Sequence, residues 1–285
     1  MPTLESLQVA LQHVLPQHLL SRLVRRLTRL EHAGLVPHAI RRFMRHYPVD
    51  LDEALETDCT RYASFNHFFT RELRGGCRPM PEDARAVACP CDGRMSELGP
   101  IVDDVLLQAK GRRYGLPALL AGDTGLARRF HGGEFATIYL APHDYHRVHS
   151  PLAGRVLRAT YVPGALFSVN DRTTRHVENL FARNERVIVV METALGQVCV
   201  ILVGAMLVGF IELVCADLPA QVDGARQPVP LALGAKRDLE RGEELGRFNM
   251  GSTVILLFER GRVRWRKDIE AGSLLRLGEV LAEPV

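Results

Sequence analysis

The sequence predicts an α+β fold in which a helical N-terminal region precedes a mostly antiparallel β core. Leucines recur every three or four residues in residues 3–30, which is the spacing of an amphipathic helix, and residues 35–74 continue as helices. From about residue 86 the chain changes to short segments rich in Val, Ile and Gly, separated by turn residues, as in β-strands. We therefore expect a helical region over residues 1–75 and a β-rich domain over residues 76–285.

The first helical stretch has an apolar stripe with arginines beside it. Pro16 interrupts the stripe, so we expect two helices, followed by turns near Pro37 and Pro48. Such a stripe can lie in a membrane interface. It can equally pack on its own domain while the arginines face solvent, and the pattern alone leaves both readings open. The stripe and its arginines are Leu4, Leu7, Leu11, Val14, Leu19, Leu20, Leu23, Val24, Leu27 and Leu30, with Arg22, Arg25, Arg26 and Arg29.

Six segments of the second part have the composition of strands. The run Val198–Ala216 can be interpreted as a membrane-spanning helix or as buried strands, because nineteen residues with one charge, Glu212, are long enough to span a bilayer. Its β-branched residues and its two glycines, Gly204 and Gly209, favour two buried strands joined at a bend. The six predicted strands are Phe135–Leu140, Arg155–Tyr161, Val187–Glu192, Val198–Val203, Leu207–Val214 and Thr253–Glu259.

Composition excludes some classes of function. The formal net charge of +3 on 285 residues is too small to indicate nucleic-acid binding by itself. The chain has three lysines, which leaves little room for an enzyme that holds pyridoxal phosphate on a lysine. Six cysteines include one close pair, Cys89 and Cys91, but no second pair completes a zinc site. We expect no metal and a reducing compartment. The N-terminus lacks the basic stretch and apolar core of a secretory signal.

Four segments carry residues suited to chemistry. Residues 89–95 place Asp92 in a turn beside a glycine, and residues 140–151 hold four titratable side chains between two prolines. Residues 163–170 and 248–253 are the other two. Taken singly, each has an ordinary explanation as a turn or as a set of core side chains. The four titratable side chains of the second segment are His143, Asp144, His146 and His149.

Taken together, the four segments closely resemble the bacterial, pyruvoyl-dependent phosphatidylserine decarboxylases. The family's Leu-Gly-Ser-Thr self-cleavage motif is similar to residues 250–253, where Met250 replaces the leucine and preserves its volume and apolarity. The family's Asp-Tyr-His-Arg-Val-His stretch stands at Asp144–His149, and its Phe-Ser-Val-Asn stretch stands at Phe167–Asn170. Its Asn-Leu-Phe-Ala-Arg-Asn-Glu-Arg stretch stands at Asn179–Arg186. The resemblance covers residues 60–285, and the N-terminus less distinctly.

The resemblance implies that the chain cleaves itself between Gly251 and Ser252. The Ser252 hydroxyl attacks the Gly251 carbonyl, and by resemblance His149 acts as the base and Asp92 orients it. The resulting ester is eliminated to dehydroalanine, and hydration with loss of ammonia gives a pyruvoyl group at residue 252. The products are a large chain, 1–251, and a small chain, 252–285, which remain associated because the small chain begins with an apolar strand.

The resemblance also implies the reaction of the mature enzyme, phosphatidylserine to phosphatidylethanolamine and CO₂. The pyruvoyl ketone forms a Schiff base with the substrate amine and serves as the electron sink. His146 is our candidate for the acid that reprotonates the carbon. Phe167, Ser168 and Val169 are expected to line the substrate site. A lipid substrate favours a peripheral position on the cytoplasmic side of the cell membrane, with residues 3–30 on an anionic surface. The sequence is also compatible with a homodimer.

Three other functions stay open at this point. A metal-dependent hydrolase would use His143, His146 and His149 as zinc ligands, although residues 250–253 would then have no role. A carrier or binding module is suggested by Val148–Val156, which with Gly164 looks similar to a half-turn of lipoyl and biotinyl carrier domains. This likeness predicts that the β core contains duplicated barrel-sandwich motifs. A pyruvoyl decarboxylase of a soluble amino acid is the third.

Overall fold

The computed structural model describes residues 4–109, 111–206, 210–217, 224–249 and 252–285, with the side chains of residues 4–8 and 109 left aside. Four helices lie in the N-terminal region and four short ones lie between the strands of the core. They are α1 (Leu4–Val14), α2 (Gln17–Thr28), α3 (Leu35–Met44), α4 (Phe65–Phe69), α5 (Leu116–Leu119), α6 (Thr124–Phe130), α7 (Asp171–His176) and α8 (Leu180–Arg183).

The described strands begin at residue 87 and continue to the C-terminus, in agreement with the predicted β core. Every strand pair is antiparallel. The strands are β1 (Val87–Ala88), β2 (Gly93–Pro100), β3 (Val105–Ala109), β4 (Arg112–Gly115), β5 (Glu134–Leu140), β6 (Arg147–His149), β7 (Gly154–Val162), β8 (Arg186–Thr193), β9 (Gly196–Val203), β10 (Ile211–Leu213), β11 (Val229–Pro230), β12 (Asp238–Leu239), β13 (Glu244–Phe248), β14 (Ser252–Phe258), β15 (Val263–Trp265), β16 (Leu274–Leu275) and β17 (Val280–Pro284).

A nine-stranded sheet organises the described core, in the order β11-β7-β8-β9-β14-β5-β2-β16, with β12 also paired to β7. A second sheet, β10-β13-β6, brings the segment before β14 against the segment after β5. Strand β14 lies between β9 and β5 and pairs with both over its length. The site described below is therefore anchored to a central strand.

Both faces of β14 are buried. Val254, Leu256 and Phe258 belong to one apolar cluster, and Ile255 and Leu257 belong to the cluster on the opposite face. A strand covered on both sides reads as a continuous apolar run because neither set of alternate side chains meets water. This explains why the run Val254–Phe258 is apolar at every position.

Most of the predicted strands are confirmed within one or two residues at their ends. The exception is Leu207–Val214, of which the structure shows a strand only over Ile211–Leu213, while residues 207–209 lie outside the described residues. The run Val198–Ala216 contributes strands β9 and β10. Within the described ranges, no helix combines the length and the apolar character needed to cross a bilayer.

One expectation for the N-terminal region was confirmed and another was wrong in detail. Turns at residues 33–34 and 45–46 flank α3, near Pro37 and Pro48 as expected, and Pro37 itself lies in the first turn of that helix, where its missing N–H is not needed. Residues 50–64 are turns and loops rather than helix. The side chains of Asp50 and Asp58 accept hydrogen bonds from the backbone N–H two residues on, at 2.8 Å in each case, which favours turns over helix. The break at Pro16 is confirmed.

Candidate active site

Ser252 is the first residue of β14 and is fully buried. It pairs with Leu140 at the end of β5. Its hydroxyl has no hydrogen-bond partner among the described residues. An unsatisfied buried hydroxyl costs about 1–3 kcal/mol, so a polar atom left in this state is typical of a functional position. Met250 and Gly251, the other residues of the predicted cleavage motif, lie outside the described residues.

The residue just before this motif is firmly held. The side-chain amide of Asn249 donates to the Phe210 carbonyl at 2.9 Å and to the Glu212 carboxylate at 3.1 Å. Its side-chain oxygen Oδ1 accepts a hydrogen bond from the side-chain amide of Asn66 at 2.9 Å. Three hydrogen bonds therefore fix the chain three residues before Ser252.

His146 lies in the same region and is completely buried. Its backbone carbonyl accepts a hydrogen bond from Phe248 N at 3.0 Å. Its ring stacks on Phe69, with 4.1 Å between centroids. Neither ring nitrogen makes a well-formed hydrogen bond within the described part of the chain. Burial, together with the positive charge of Arg71, lowers the pKa of His146 to about 3. The imidazole is therefore neutral at pH 7.

His149 is the last residue of β6 and makes two hydrogen bonds. Its Nδ1 lies 2.8 Å from the Gly242 carbonyl, and its Nε2 lies 3.0 Å from the Tyr145 hydroxyl. Because a carbonyl only accepts, Nδ1 carries the proton and Nε2 is the basic nitrogen. Burial lowers the pKa of His149, and the bond to Gly242 opposes this shift. The arrangement leaves Nε2 as a base, provided that the Tyr145 hydroxyl moves aside.

Asp92 forms a buried ion pair with Arg78. The Nε and Nη2 atoms of Arg78 lie 3.0 and 2.6 Å from the two carboxylate oxygens of Asp92. The Leu277 backbone N–H donates to the same carboxylate at 2.8 Å. The hydrogen bond to Asp92 raises the pKa of Arg78 above its usual range. In the described structure no hydrogen bond joins Asp92 to His149; the nearest link is the bond of 2.7 Å from His149 N to the Pro90 carbonyl.

The two remaining titratable groups of this segment close the turn after β5. The Asp144 carboxylate accepts from Ala141 N at 2.7 Å, and burial raises its pKa. His143 Nε2 lies 3.6 Å from the same carboxylate and is partly exposed. Over the described ranges, no group of three His, Cys, Asp or Glu side chains has the geometry to hold a metal ion. The three histidines of the zinc alternative therefore do not converge on one point.

The predicted substrate-lining stretch packs beneath the N-terminal helices. Phe167 and Val169 are buried, and both backbone polar groups of Phe167 bond to the side chain of Asn184, at 3.1 and 2.8 Å. Ser168 N donates to the side-chain oxygen of Gln12, in α1, at 3.0 Å. Ser168 is thus the member of the three whose side chain is partly exposed, while Phe167 and Val169 belong to an apolar cluster.

Several residues that hold the site escaped the sequence analysis. Arg78 is 14 residues from Asp92, Gly242 is 93 residues from His149, and Phe69 is far from His146 in sequence. Only the fold brings these pairs together. Tyr145 alone had a local signal, because it stands four residues before His149 within the quoted motif.

The fold and the site define a class: a protein of helices and mostly antiparallel strands, with a buried serine at the start of its central strand whose hydroxyl has no partner among the described residues, and with a buried histidine, His146, bonded to the segment just before it. Comparison with known proteins then gives the family. The profile described as phosphatidylserine decarboxylase matches residues 65–283, and a second profile described as PSD matches residues 7–48. The chain belongs to the phosphatidylserine decarboxylase family.

Relatives similar over nearly the whole chain carry the same description. The phosphatidylserine decarboxylase proenzyme of Pseudomonas putida is 47% identical, with 96% of each chain covered. That of Pseudomonas entomophila is 48% identical, again with 96% of each covered. That of Shewanella pealeana is 43% identical, covering 98% of this chain and 99% of the relative.

Proposed function

We infer that this protein is a carboxy-lyase that converts phosphatidylserine to phosphatidylethanolamine and CO₂. Membership of the family over nearly the whole chain carries this conclusion. The direct test is to incubate the purified protein with phosphatidylserine in neutral-detergent micelles and to follow release of CO₂ and formation of phosphatidylethanolamine. A protein that leaves the lipid unchanged after complete maturation would contradict it.

The chain is proposed to mature by breaking its own peptide bond between Gly251 and Ser252. The relatives are proenzymes by name, which supports a precursor that is processed. The buried Ser252 hydroxyl attacks the Gly251 carbonyl, while Nε2 of His149 accepts its proton. Transfer of that proton to the amide nitrogen breaks the peptide bond and leaves an ester between Gly251 and the Ser252 oxygen. Loss of the α-proton then expels the Gly251 carboxylate and leaves dehydroalanine, and hydration with release of ammonia gives a pyruvoyl group at residue 252. Asp92 is proposed to stabilise the protonated base by its charge.

The surroundings of residue 252 suit a small prosthetic group derived from the serine itself. The position is fully buried, and its side-chain oxygen has no partner in the described part of the chain, so a ketone there would break no side-chain hydrogen bond to the described residues. When present, the pyruvoyl group supplies an electron sink for the pair released as CO₂ departs. The chain itself excludes water around it and holds it on β14, whose pairing with β5 and β9 would keep the 34-residue small chain, 252–285, in place.

His146 is proposed to deliver the proton to the product carbon. In the free protein its lowered pKa keeps the ring neutral, which does not suit an acid. An anionic substrate would change this, because a carboxylate or phosphate nearby favours the charged imidazolium and would replace the missing hydrogen bonds of the ring. His146 is therefore expected to take up a proton together with the substrate.

The N-terminal region, residues 1–75, is proposed to bind the cytoplasmic surface of the membrane, next to a catalytic domain over residues 76–285. Six apolar residues along one stripe of residues 11–30 are each more than half exposed, while Gln12 and Gln17 bond to the domain from the same helices, so the apolar stripe faces away from the domain, and this supports membrane binding. The exposed residues are Leu11, Val14, Leu19, Leu23, Leu27 and Leu30. Replacing Leu19, Leu23 and Leu27 by Ser should abolish sedimentation with anionic liposomes but spare turnover in micelles; unchanged liposome binding would remove the proposal.

We also propose that the antiparallel core contains duplicated barrel-sandwich motifs of the carrier-domain kind. The sequence likeness of Val148–Val156 to carrier domains supports this proposal. The extended pairing of β7 with β8 is compatible with it. Superposing the two halves of the core on a carrier domain tests it, and failure of either half to align would remove it.

A further inference from the structure

A cavity of about 480 Å³ lies between helix α2 and the edge of the nine-stranded sheet. Arg22 and Arg25 of α2 form one wall, and Arg226 contributes from the opposite side. Phe210 and Leu166 provide apolar surface. The cavity is thus amphipathic, with cations above an apolar floor.

Among the described residues that line this cavity, the positive charges outnumber the negative ones. Within the described ranges, no carboxylate is paired with Arg22, Arg25 or Arg226. Glu185 is the acidic residue among those that line the cavity in the described structure, and it has an interaction of its own. The guanidinium of Arg25 lies 4.5 Å from the ring centroid of Phe210, which holds its plane. Three cations against one anion leave a site that attracts a negative ligand.

The cavity lies by the strand ends on the side of the sheet where β14 begins. Strand β7 ends at Val162, β8 begins at Arg186, β9 ends at Val203 and β14 begins at Ser252. These strands are consecutive antiparallel neighbours, so the four ends lie side by side. At about 4.8 Å per strand, the ends of β7 and β14 are about 14 Å apart.

A direct contact links the cavity wall to the segment of the cleavage motif. The Phe210 carbonyl accepts from both the backbone and the side chain of Asn249, at 3.1 and 2.9 Å. Asn249 stands three residues before Ser252. The wall of the cavity is therefore hydrogen-bonded to the residue that precedes the cleavage motif.

We propose that this cavity binds the phosphodiester of an anionic glycerophospholipid, with Arg22 and Arg25 as its ligands, and that this lipid is the substrate. Guanidinium groups bind phosphate oxygens with two parallel charge-assisted hydrogen bonds. The exposed leucines of the same helix, such as Leu19 and Leu23, place the cavity next to the surface that would meet acyl chains. The proposal rests on the proposed function, because it names the substrate subsite of the same reaction.

The test compares three variants of the two-chain enzyme in neutral-detergent micelles, where the substrate is the sole anionic lipid. Arg22→Gln and Arg25→Gln should each raise KM about tenfold with little change in kcat, since each removes one charge-assisted contact to phosphate. Arg26→Gln is the matched comparison, because Arg26 is exposed on the same helix and does not line the cavity. A KM for Arg26→Gln that rises as much as for Arg22→Gln would overturn the proposal.

A second arm identifies which lipid supplies the phosphodiester. Added phosphatidylglycerol is tested for stimulation of the wild type and of Arg22→Gln. If phosphatidylglycerol stimulates the wild type but not Arg22→Gln, and Arg22→Gln keeps a normal KM in micelles, the cavity binds a neighbouring lipid. That result would overturn the assignment to substrate. Binding of water-soluble glycerophosphoserine is measured in parallel by calorimetry. Binding weakened about tenfold in Arg22→Gln supports the subsite whether or not turnover occurs. Wild type that binds this probe but does not decarboxylate would contradict the proposed function and leave the subsite standing.

Discussion

The ion pair between Arg78 and Asp92 makes the sharpest quantitative prediction. The side chain of Arg78 is 7% exposed and that of Asp92 is 12% exposed, and Arg78 also lies 2.7 Å from Glu53. Arg78→Met would leave two carboxylates without their shared cation in a poorly solvated position. Removing one partner of a buried pair costs about 3–5 kcal/mol, mainly because the remaining charge is uncompensated.

The chain offers a matched control for this change. Arg276 pairs with the same Glu53 carboxylate at 3.0 Å, but its side chain is 61% exposed. Surface pairs contribute about 0–1 kcal/mol, so Arg276→Met should be nearly neutral. Both substitutions remove one arginine from one network, and they differ in burial.

The assay is urea unfolding in a Ser252→Ala background, in which the chain is expected to stay whole so that cleavage does not complicate the measurement. Arg78→Met should lower the free energy of unfolding by about 3–5 kcal/mol and Arg276→Met by less than about 1 kcal/mol. With Ser252 restored, Arg78→Met should also mature more slowly on a denaturing gel, because Asp92 loses the cation that holds it. Equal effects of the two substitutions would refute the reasoning.

Three further predictions follow from the buried groups. The depressed pKa of His146 means that the unfolded chain takes up a proton near pH 6.5 while the folded chain does not until about pH 3, so stability should fall as pH drops from 7 to 5. Urea unfolding should show a loss of about 2 kcal/mol that His146→Gln lacks; identical pH profiles would contradict this. Tyr145→Phe frees Nε2 of His149, so self-cleavage on a denaturing gel should be at least as fast as in wild type, whereas His149→Gln should stop it; a Tyr145→Phe protein that stays whole would show that the hydroxyl is required. Asn249→Ala removes three hydrogen bonds before the cleavage motif and should slow maturation measurably, with Asn66→Ala, which removes one of them, intermediate; a fully cleaved Asn249→Ala at the earliest time point would contradict this.

The parts of the fold that could be predicted are those set by local pattern. The apolar run Val254–Phe258 of β14 and the β-branched segments of β8 and β9 predict strands because a strand covered on both faces has mostly apolar positions. The break at Pro16 follows from the missing N–H of proline. Residues 50–64 were predicted as helix because their pattern did not show that Asp50 and Asp58 bond to the backbone two residues on.

The sequence suggested candidate members of the site but none of the contacts that the structure gives them. Recognition of short motifs brought out Asp92, His146, His149 and Ser252 together. It did not show that Asp92 is bound by Arg78 or that His149 is held by a carbonyl at Gly242, since both partners come from distant segments. It also gave no sign that His146 is buried deeply enough to be neutral, because burial is a property of the packed fold.

The central claim is that Ser252 becomes the blocked first residue of a separate chain. Intact mass spectrometry of the purified protein under denaturing conditions tests it directly. We expect two species, one of residues 1–251 and one of residues 252–285, the smaller carrying a pyruvoyl group in place of its serine and reacting with a carbonyl reagent such as hydroxylamine. A fully active preparation that consists of one chain with an ordinary serine at position 252 would contradict the account.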